Sequence, residues 1–273
     1  MIKGTILLVG CGKMGGALLD GWFKQGLNPV DAVVVEPAGR AAVSCCAHHP
    51  ALTVLPAGKD VPRDFVPDVV LFAVKPQLAD NVLPDYQRLV ANAPVFLSVI
   101  AGKTTGYFRK HLGNDAAIVR AMPNTPASVG KAISALYAAP ATSEIQKRVC
   151  EKLMQAVGEV VWLDDETLMD PVTAVSGSGP AYVFLLAECL RDAGIEAGLP
   201  PELAARFARA TVTGSAALLA QDPNPPETLR QNVTSPNGTT AAALSVLMGE
   251  GGLKRLMAQA VAAATRRSKE LAG

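Results

Sequence analysis

Thr5-Ile6-Leu7-Leu8-Val9-Gly10-Cys11-Gly12-Lys13-Met14-Gly15 is the stretch whose reading decides the fold. Residues 5–9 are an apolar, β-branched run, as expected of a strand buried inside a parallel sheet. Gly10 to Gly15 reads G-x-G-x-x-G, and Ala17, Leu18, Gly21, Trp22 and Phe23 follow at helical spacing. Strand, glycine turn and helix is the context in which this otherwise weak motif holds a dinucleotide. Gly10 permits the tight turn, Gly12 lets a pyrophosphate reach the backbone, and Gly15 lets helix and strand pack closely. A second apolar strand, Ala32–Val35, ends in Glu36. That is about twenty residues past the glycines, where an acid takes the ribose 2′-OH. Glu36 argues for NADH because it repels a 2′-phosphate, and Arg40 argues for NADPH because a guanidinium pairs with one. The sequence leaves both cofactors open.

Working outward, strands are expected near 52–55, 69–74, 95–100, 117–122, 131–138 and 159–163. Helices are expected at 13–25, 78–91 and 104–111, and from the capping box Ser143-x-x-Gln146 to about Val157. Alternation of this kind implies a mainly parallel sheet with helices on both faces. Ligands lie at the C-terminal ends of such strands. The residues to watch are therefore Gly10–Gly15, Glu36, Lys75-Pro76-Gln77, Ala101-Gly102 and Pro123-Asn124-Thr125-Pro126. From Asp164 onward the pattern is helical, over 166–175, 180–197, 201–219, 239–249 and 253–271, with Asp222–Pro226 as a rigid loop. The expected division is an α/β Rossmann-like domain over 1–163 and an all-α domain over 164–273. The helical half is rich in Ala and makes a thin core alone, so it is expected to bury a face against a second subunit.

The chain has 273 residues, 49% of them hydrophobic, and a formal net charge of +1. Nothing in that balance points to nucleic acid or an anionic membrane surface. No apolar run is long enough for a membrane span, and the N-terminus lacks a signal-peptide pattern. Cys11, Cys45, Cys46, Cys150 and Cys189 are odd in number and irregularly spaced, which fits a reducing cytoplasm rather than a disulfide framework. Cys45-Cys46-Ala47-His48-His49 is too compressed for a tetrahedral metal site and reads as a helix end running into a loop. No metal is expected.

A second anion site is expected at Val233-Thr234-Ser235-Pro236-Asn237-Gly238-Thr239-Thr240, which opens into the helical pattern Ala241-Ala242-Ala243-Leu244. A helix start presents unpartnered N–H groups and the positive end of the macrodipole, ready for a carboxylate or phosphate. A nicotinamide site beside such a site suggests hydride transfer to a small acid. Carbonyl reduction usually needs a positioned proton donor. The three histidines, His48, His49 and His111, are all in the first half, and no lysine lies between Asp164 and Lys254. That counts against a β-hydroxyacid dehydrogenase. An imine relaxes the demand, because its nitrogen arrives protonated or takes its proton from water. A non-catalytic NAD(P)H sensor is the other reading, and it leaves the 235–240 helix start without a purpose.

Several motifs in order resemble the pyrroline-5-carboxylate reductase family. They are Gly10–Gly15, Ala73-Val74-Lys75-Pro76, Met122-Pro123-Asn124-Thr125-Pro126, Val175-Ser176-Gly177-Ser178-Gly179-Pro180-Ala181-Tyr182 and Val233–Leu244. The resemblance implies reduction of 1-pyrroline-5-carboxylate to L-proline with NADPH or NADH, the last step of proline biosynthesis. It also implies a helical dimerisation domain, with dimers assembling into decamers. By position it makes Thr240 the residue at the ring nitrogen. Ser235 and the N–H groups of Gly238, Thr239 and Thr240 form its carboxylate site, with Asn232 and Val233 lining the pocket. On the cofactor it places the turns Ala73, Val74, Lys75, Pro76 and Met122, Pro123, Asn124, beside Gly10, Cys11, Gly12, Lys13, Met14, Gly15, Glu36, Arg40 and Ala101 as read from the strand ends. Glu36 departs from the family, many of whose members have a neutral or basic stretch there and favour NADPH. Asn237 stands where the family usually has glycine, and Asn tolerates positive φ. Ser176–Pro180 reads either as a tight helix junction or as a wall of the substrate site.

Overall fold

A computed structural model describes residues 2–272. Two compact units emerge, one running to Gly177 and taking back the chain from Ala264, the other spanning Ser178–Ala263. The sheet ends where the pattern placed it, but the first unit continues some way past residue 163. Polar contacts hold that extra stretch. Glu166 accepts from the Thr105 backbone and hydroxyl, both at 2.7 Å, and from Arg120 Nη1 at 2.8 Å. Asp170 accepts from the Ser268 hydroxyl at 2.7 Å.

The first unit is an eight-stranded sheet made of β1 (Ile6–Val9), β2 (Ala32–Val35), β3 (Thr53–Leu55), β4 (Val69–Phe72), β5 (Val95–Ser98), β6 (Ala117–Met122), β7 (Ala132–Ala138) and β8 (Gly158–Trp162). The order is β3-β2-β1-β4-β5-β6-β7-β8. Every pair is parallel except β6–β7. β1, β2 and β4 are apolar at every position because both faces are covered. Ile6, Leu8, Val34, Leu71 and Leu97 point into one core with Leu18, Leu19 and Trp22 of α1 (Lys13–Lys24). Leu7, Val9, Val35, Phe72 and Phe96 point into the other. Trp22, with no exposed surface, donates from its indole to the Leu153 carbonyl at 2.9 Å, tying the first helix to a later one on the same face.

The helix expected over 78–91 is broken. Only α2 (Ala79–Val82) is α-helical, and a 3₁₀ run occupies Leu83–Asn92. Pro84 is the cause, since it lacks an N–H and its ring crowds the carbonyl of Asp80. Next come α3 (Thr105–Leu112) and α4 (Glu144–Gln155), the latter with the expected capping box at Ser143 and Gln146. The helix expected over 166–175 is a 3₁₀ turn, then α5 (Met169–Val172), then a π turn over Thr173–Gly177. Ser176 and Gly177 thus lie in a π turn that leads, through Ser178, into the next helix at Gly179. Cys45 and Cys46 are buried in the first core within short 3₁₀ turns, and His49 packs on the Phe23 ring with centroids 4.0 Å apart.

The second unit is built from α6 (Gly179–Glu196), α7 (Pro201–Gln221), α8 (Pro226–Asn232), α9 (Thr239–Leu247) and the start of α10 (Leu253–Ala272). Sequence reading missed α8, because Pro225 and Pro226 suggested only a loop. Proline is in fact favoured at the first helical position, where no N–H is needed. Among the described residues of this unit, Ala204 and Ala208 alone are buried. Phe184 is 63% exposed and Val246 74%, with Val183, Leu185 and Leu186 also on the surface. Helices this apolar and this open are built to be covered.

Candidate dinucleotide and carboxylate sites

In the order β2-β1-β4, chain connections leave β1 in opposite directions, which opens a crevice at the C-terminal ends of the strands. A cavity of about 550 Å³ lies there. Gly10 and Gly12 after β1, Glu36 after β2 and Ala73, Val74 and Lys75 after β4 all line it, as expected from the sequence. Gly10 has φ of +88°, and a Cβ on it would lie 2.9 Å from the Ala73 carbonyl oxygen. A Cβ on Gly15 would lie 2.3 Å from the Gly10 carbonyl oxygen. A Cβ on Gly12 would meet nothing within 4 Å. Two of these glycines therefore serve the fold, and the third keeps a backbone surface open.

α1 begins at Lys13 with no side-chain cap and no acid in its first turn. Its leading N–H groups and the helix dipole face an open glycine, an arrangement that fits a pyrophosphate. Glu36 sits beside this loop. Its Oε2 accepts from the Cys11 N–H at 2.9 Å, and its Oε1 accepts from the Ala38 N–H at 3.1 Å. The Cys11 thiol is pushed up to about 12, first by burial and then by Cys45 and Glu36, so it stays protonated at neutral pH.

Arg40 does not join the cavity. Its guanidinium donates to the carbonyls of Leu52 at 2.5 Å, His49 at 3.0 Å, Pro50 at 3.2 Å and Cys46 at 3.3 Å. It clamps the loop before β3, which removes the ground for reading it as a 2′-phosphate ligand. Lys75 leads into a short turn headed by Pro76. Ala101 follows β5, Met122 ends β6 and Pro123 and Asn124 follow it, on the same edge of the sheet and outside the cavity lining. Asn124 is held on both sides. Its Oδ1 accepts from the Ile133 N–H at 3.1 Å, and its Nδ2 donates to the Ser176 hydroxyl at 3.3 Å.

Pro56, Ala57 and Gly58 also line the cavity, with Asn81, Asp85 and Tyr86. Sequence reading passed over them, although the rule that found Glu36 applies equally to the residues after β3. Tyr86 is 1% exposed and its phenol oxygen lacks a hydrogen-bond partner.

In the second unit, α9 starts at Thr239 with Gly238 as its N-cap and no side-chain cap. Asn237 has φ of +61°, the left-handed conformation expected of it. The Gly238 N–H donates to the Ser235 carbonyl at 3.1 Å, and a Cβ on Gly238 would clash with the Ser235 hydroxyl oxygen. Thr240 is half-buried, and Asn232, Val233, Ser235 and Thr239 are exposed. One short segment thus collects hydroxyls and uncapped N–H groups at a positive helix end.

The two units define a Rossmann-type dinucleotide-binding oxidoreductase with an all-α second domain. Comparison with known proteins narrows this further. Residues 166–271 match the family model for pyrroline-5-carboxylate reductase dimerisation, and residues 5–102 match one described as NADP oxidoreductase, coenzyme F420-dependent. A pyrroline-5-carboxylate reductase of Glycine max is 36% identical over 267 residues, 98% of this chain and 96% of that one. The structure of a pyrroline-5-carboxylate reductase from Coxiella burnetii has a TM-score of 0.89 at 33% identity, covering 99% of each chain. That of pyrroline carboxylate reductase from Plasmodium falciparum with NADP bound has a TM-score of 0.86 at 28% identity, covering 100% of each. The chain belongs to the pyrroline-5-carboxylate reductase family.

Proposed function

We propose that the protein reduces 1-pyrroline-5-carboxylate to L-proline at the expense of NADPH or NADH. The observation that carries this is the α9 start, uncapped and rich in hydroxyls, within a chain that matches the family along nearly its whole length. The reaction adds a hydride to the imine carbon, which becomes C5 of proline, and a proton to the nitrogen, with the nicotinamide supplying the hydride when bound. On the cofactor side, the N–H groups of Lys13, Met14 and Gly15 and the open face of Gly12 hold the pyrophosphate, while Gly10 shapes the turn and the Cys11 N–H holds Glu36. Glu36 takes the adenosine ribose. Ala73, Val74, Lys75, Pro76, Ala101, Met122, Pro123 and Asn124 shape the path toward the nicotinamide. Arg40 holds its own loop rather than the cofactor.

On the substrate side, the N–H groups of Thr239 and Thr240 and the Ser235 hydroxyl bind the carboxylate, while Gly238, whose N–H is taken by the Ser235 carbonyl, keeps the approach clear of a side chain and Asn232 and Val233 wall the ring. The Thr240 hydroxyl bonds the ring nitrogen and orients one face of the C=N bond. Orientation alone supplies several kcal/mol of a barrier, so a site without histidine is adequate. The exposed apolar helices support a dimer, and the family resemblance supports dimers gathered into a decamer. The cysteine pattern supports a cytoplasmic setting. No helix is long and apolar enough to cross a membrane among the described residues. The test is oxidation of NADH or NADPH by purified protein with 1-pyrroline-5-carboxylate, with proline identified as product. Folded protein that turns over neither cofactor would overturn the proposal.

A further inference from the structure

We propose that Glu36, held in place by the glycine loop, makes this chain prefer NADH over NADPH. The inference rests on the cofactor reading above and goes beyond it by choosing between the two dinucleotides. Each Glu36 oxygen accepts one backbone N–H, from Cys11 and from Ala38. A carboxylate oxygen has two lone pairs, so each keeps one for a ribose hydroxyl. The carboxylate cannot swing away from a 2′-phosphate without giving up both bonds. It sits one residue past β2, the place where a dinucleotide's adenosine ribose arrives.

Among the residues that line the cavity, no cation sits beside Glu36 to neutralise a 2′-phosphate. The charged residues lining the cavity are Glu36, Asp85 and Lys75. Lys75 follows β4, which lies across β1 from β2. Two inter-strand spacings, about 10 Å, separate those strands. Arg40, the one guanidinium near the end of β2 in sequence, has its donors on four carbonyls. A 2′-phosphate would therefore meet a fixed carboxylate, whereas a 2′-hydroxyl would meet an acceptor.

The experiment is titration of the purified protein with NADH and with NADPH, followed by cofactor fluorescence, for wild type and Glu36→Gln. Steady-state kcat/KM for both cofactors is measured alongside. The expected wild-type result is a Kd for NADH at least tenfold below that for NADPH in about 0.1 M salt. Glu36→Gln keeps the side-chain shape and removes the charge, so the ratio should move toward one. NADPH binding as tightly as NADH in wild type would overturn the preference. A wild-type preference for NADH that Glu36→Gln leaves intact would overturn its assignment to Glu36. Folded protein that binds neither cofactor would overturn the cofactor reading itself, and this inference with it.

Discussion

Gly15→Ala and Gly12→Ala separate the two tasks of the glycine loop. A methyl at position 15 would lie 2.3 Å from the Gly10 carbonyl oxygen and 3.3 Å from the Ala73 Cβ. An ordinary contact needs about 3.5 Å, so the start of α1 must move roughly 1 Å off the sheet. That motion disturbs Leu18, Leu19 and Trp22, all without exposed surface. Overpacking against backbone costs about 3 kcal/mol at the upper end of the usual range. Replacing glycine by alanine within a helix returns about 1 kcal/mol. The net loss is about 2 kcal/mol, or a fall in Tm of roughly 4–8 °C for a chain of this size. Gly12 has φ of −70°, which alanine adopts freely, and open space around it. Gly12→Ala should keep Tm within about 1–2 °C of wild type, since only a weak N-cap preference changes. Its methyl occupies the space a pyrophosphate needs, so NADH should bind at least tenfold more weakly. Circular dichroism melts and cofactor titrations on both variants provide the assay. Gly12→Ala with unaltered affinity would refute the loop's role in cofactor binding. Gly15→Ala with unaltered Tm would refute the close-packing argument.

Thr240→Ala should lower kcat by about tenfold or more with the fold intact, whereas Thr240→Ser should retain most activity; steady-state kinetics decides, and equal losses would point to methyl packing instead. Phe184→Glu places a charge on the exposed apolar face of α6, and analytical ultracentrifugation should show the dimer shifted toward monomer. In acid, Asp80 provides a pH signature. Its carboxyl is held below the usual range by the Tyr107 hydroxyl, which donates at 2.6 Å, and then by His111. A lowered folded value means its stabilisation is present above the unfolded value of about 3.9 and is lost as pH falls through the folded one. The Tm gap between wild type and Tyr107→Phe should therefore be widest near neutrality and close below about pH 4. A gap that grows in acid would refute that assignment.

Much of the first unit was legible because its signals are local. The run Thr5–Val9, the glycines and the capping box at Ser143 each act through neighbouring backbone, and each appears where the pattern placed it. Asn237 was readable for the same reason. Pro84 was read through because Leu83, Tyr86 and Leu89 keep a buried stripe across it, and burial survives when an α-helix becomes 3₁₀. Arg40 was misleading for the opposite reason. Its four carbonyl partners lie 6–12 residues away along turns whose shape no short motif announces. The Glu166 link to Arg120 and Thr105 joins residues 46 and 61 positions apart, which is why the first unit runs further than the alternating pattern suggested.

The most direct test of the central claim follows the hydrogen itself. NADH or NADPH with both nicotinamide C4 hydrogens replaced by deuterium is supplied with 1-pyrroline-5-carboxylate, and the proline formed is analysed by mass spectrometry. The account predicts proline carrying a single deuterium at C5. Proline without deuterium, deuterium elsewhere in the ring, or no proline from folded protein would contradict it.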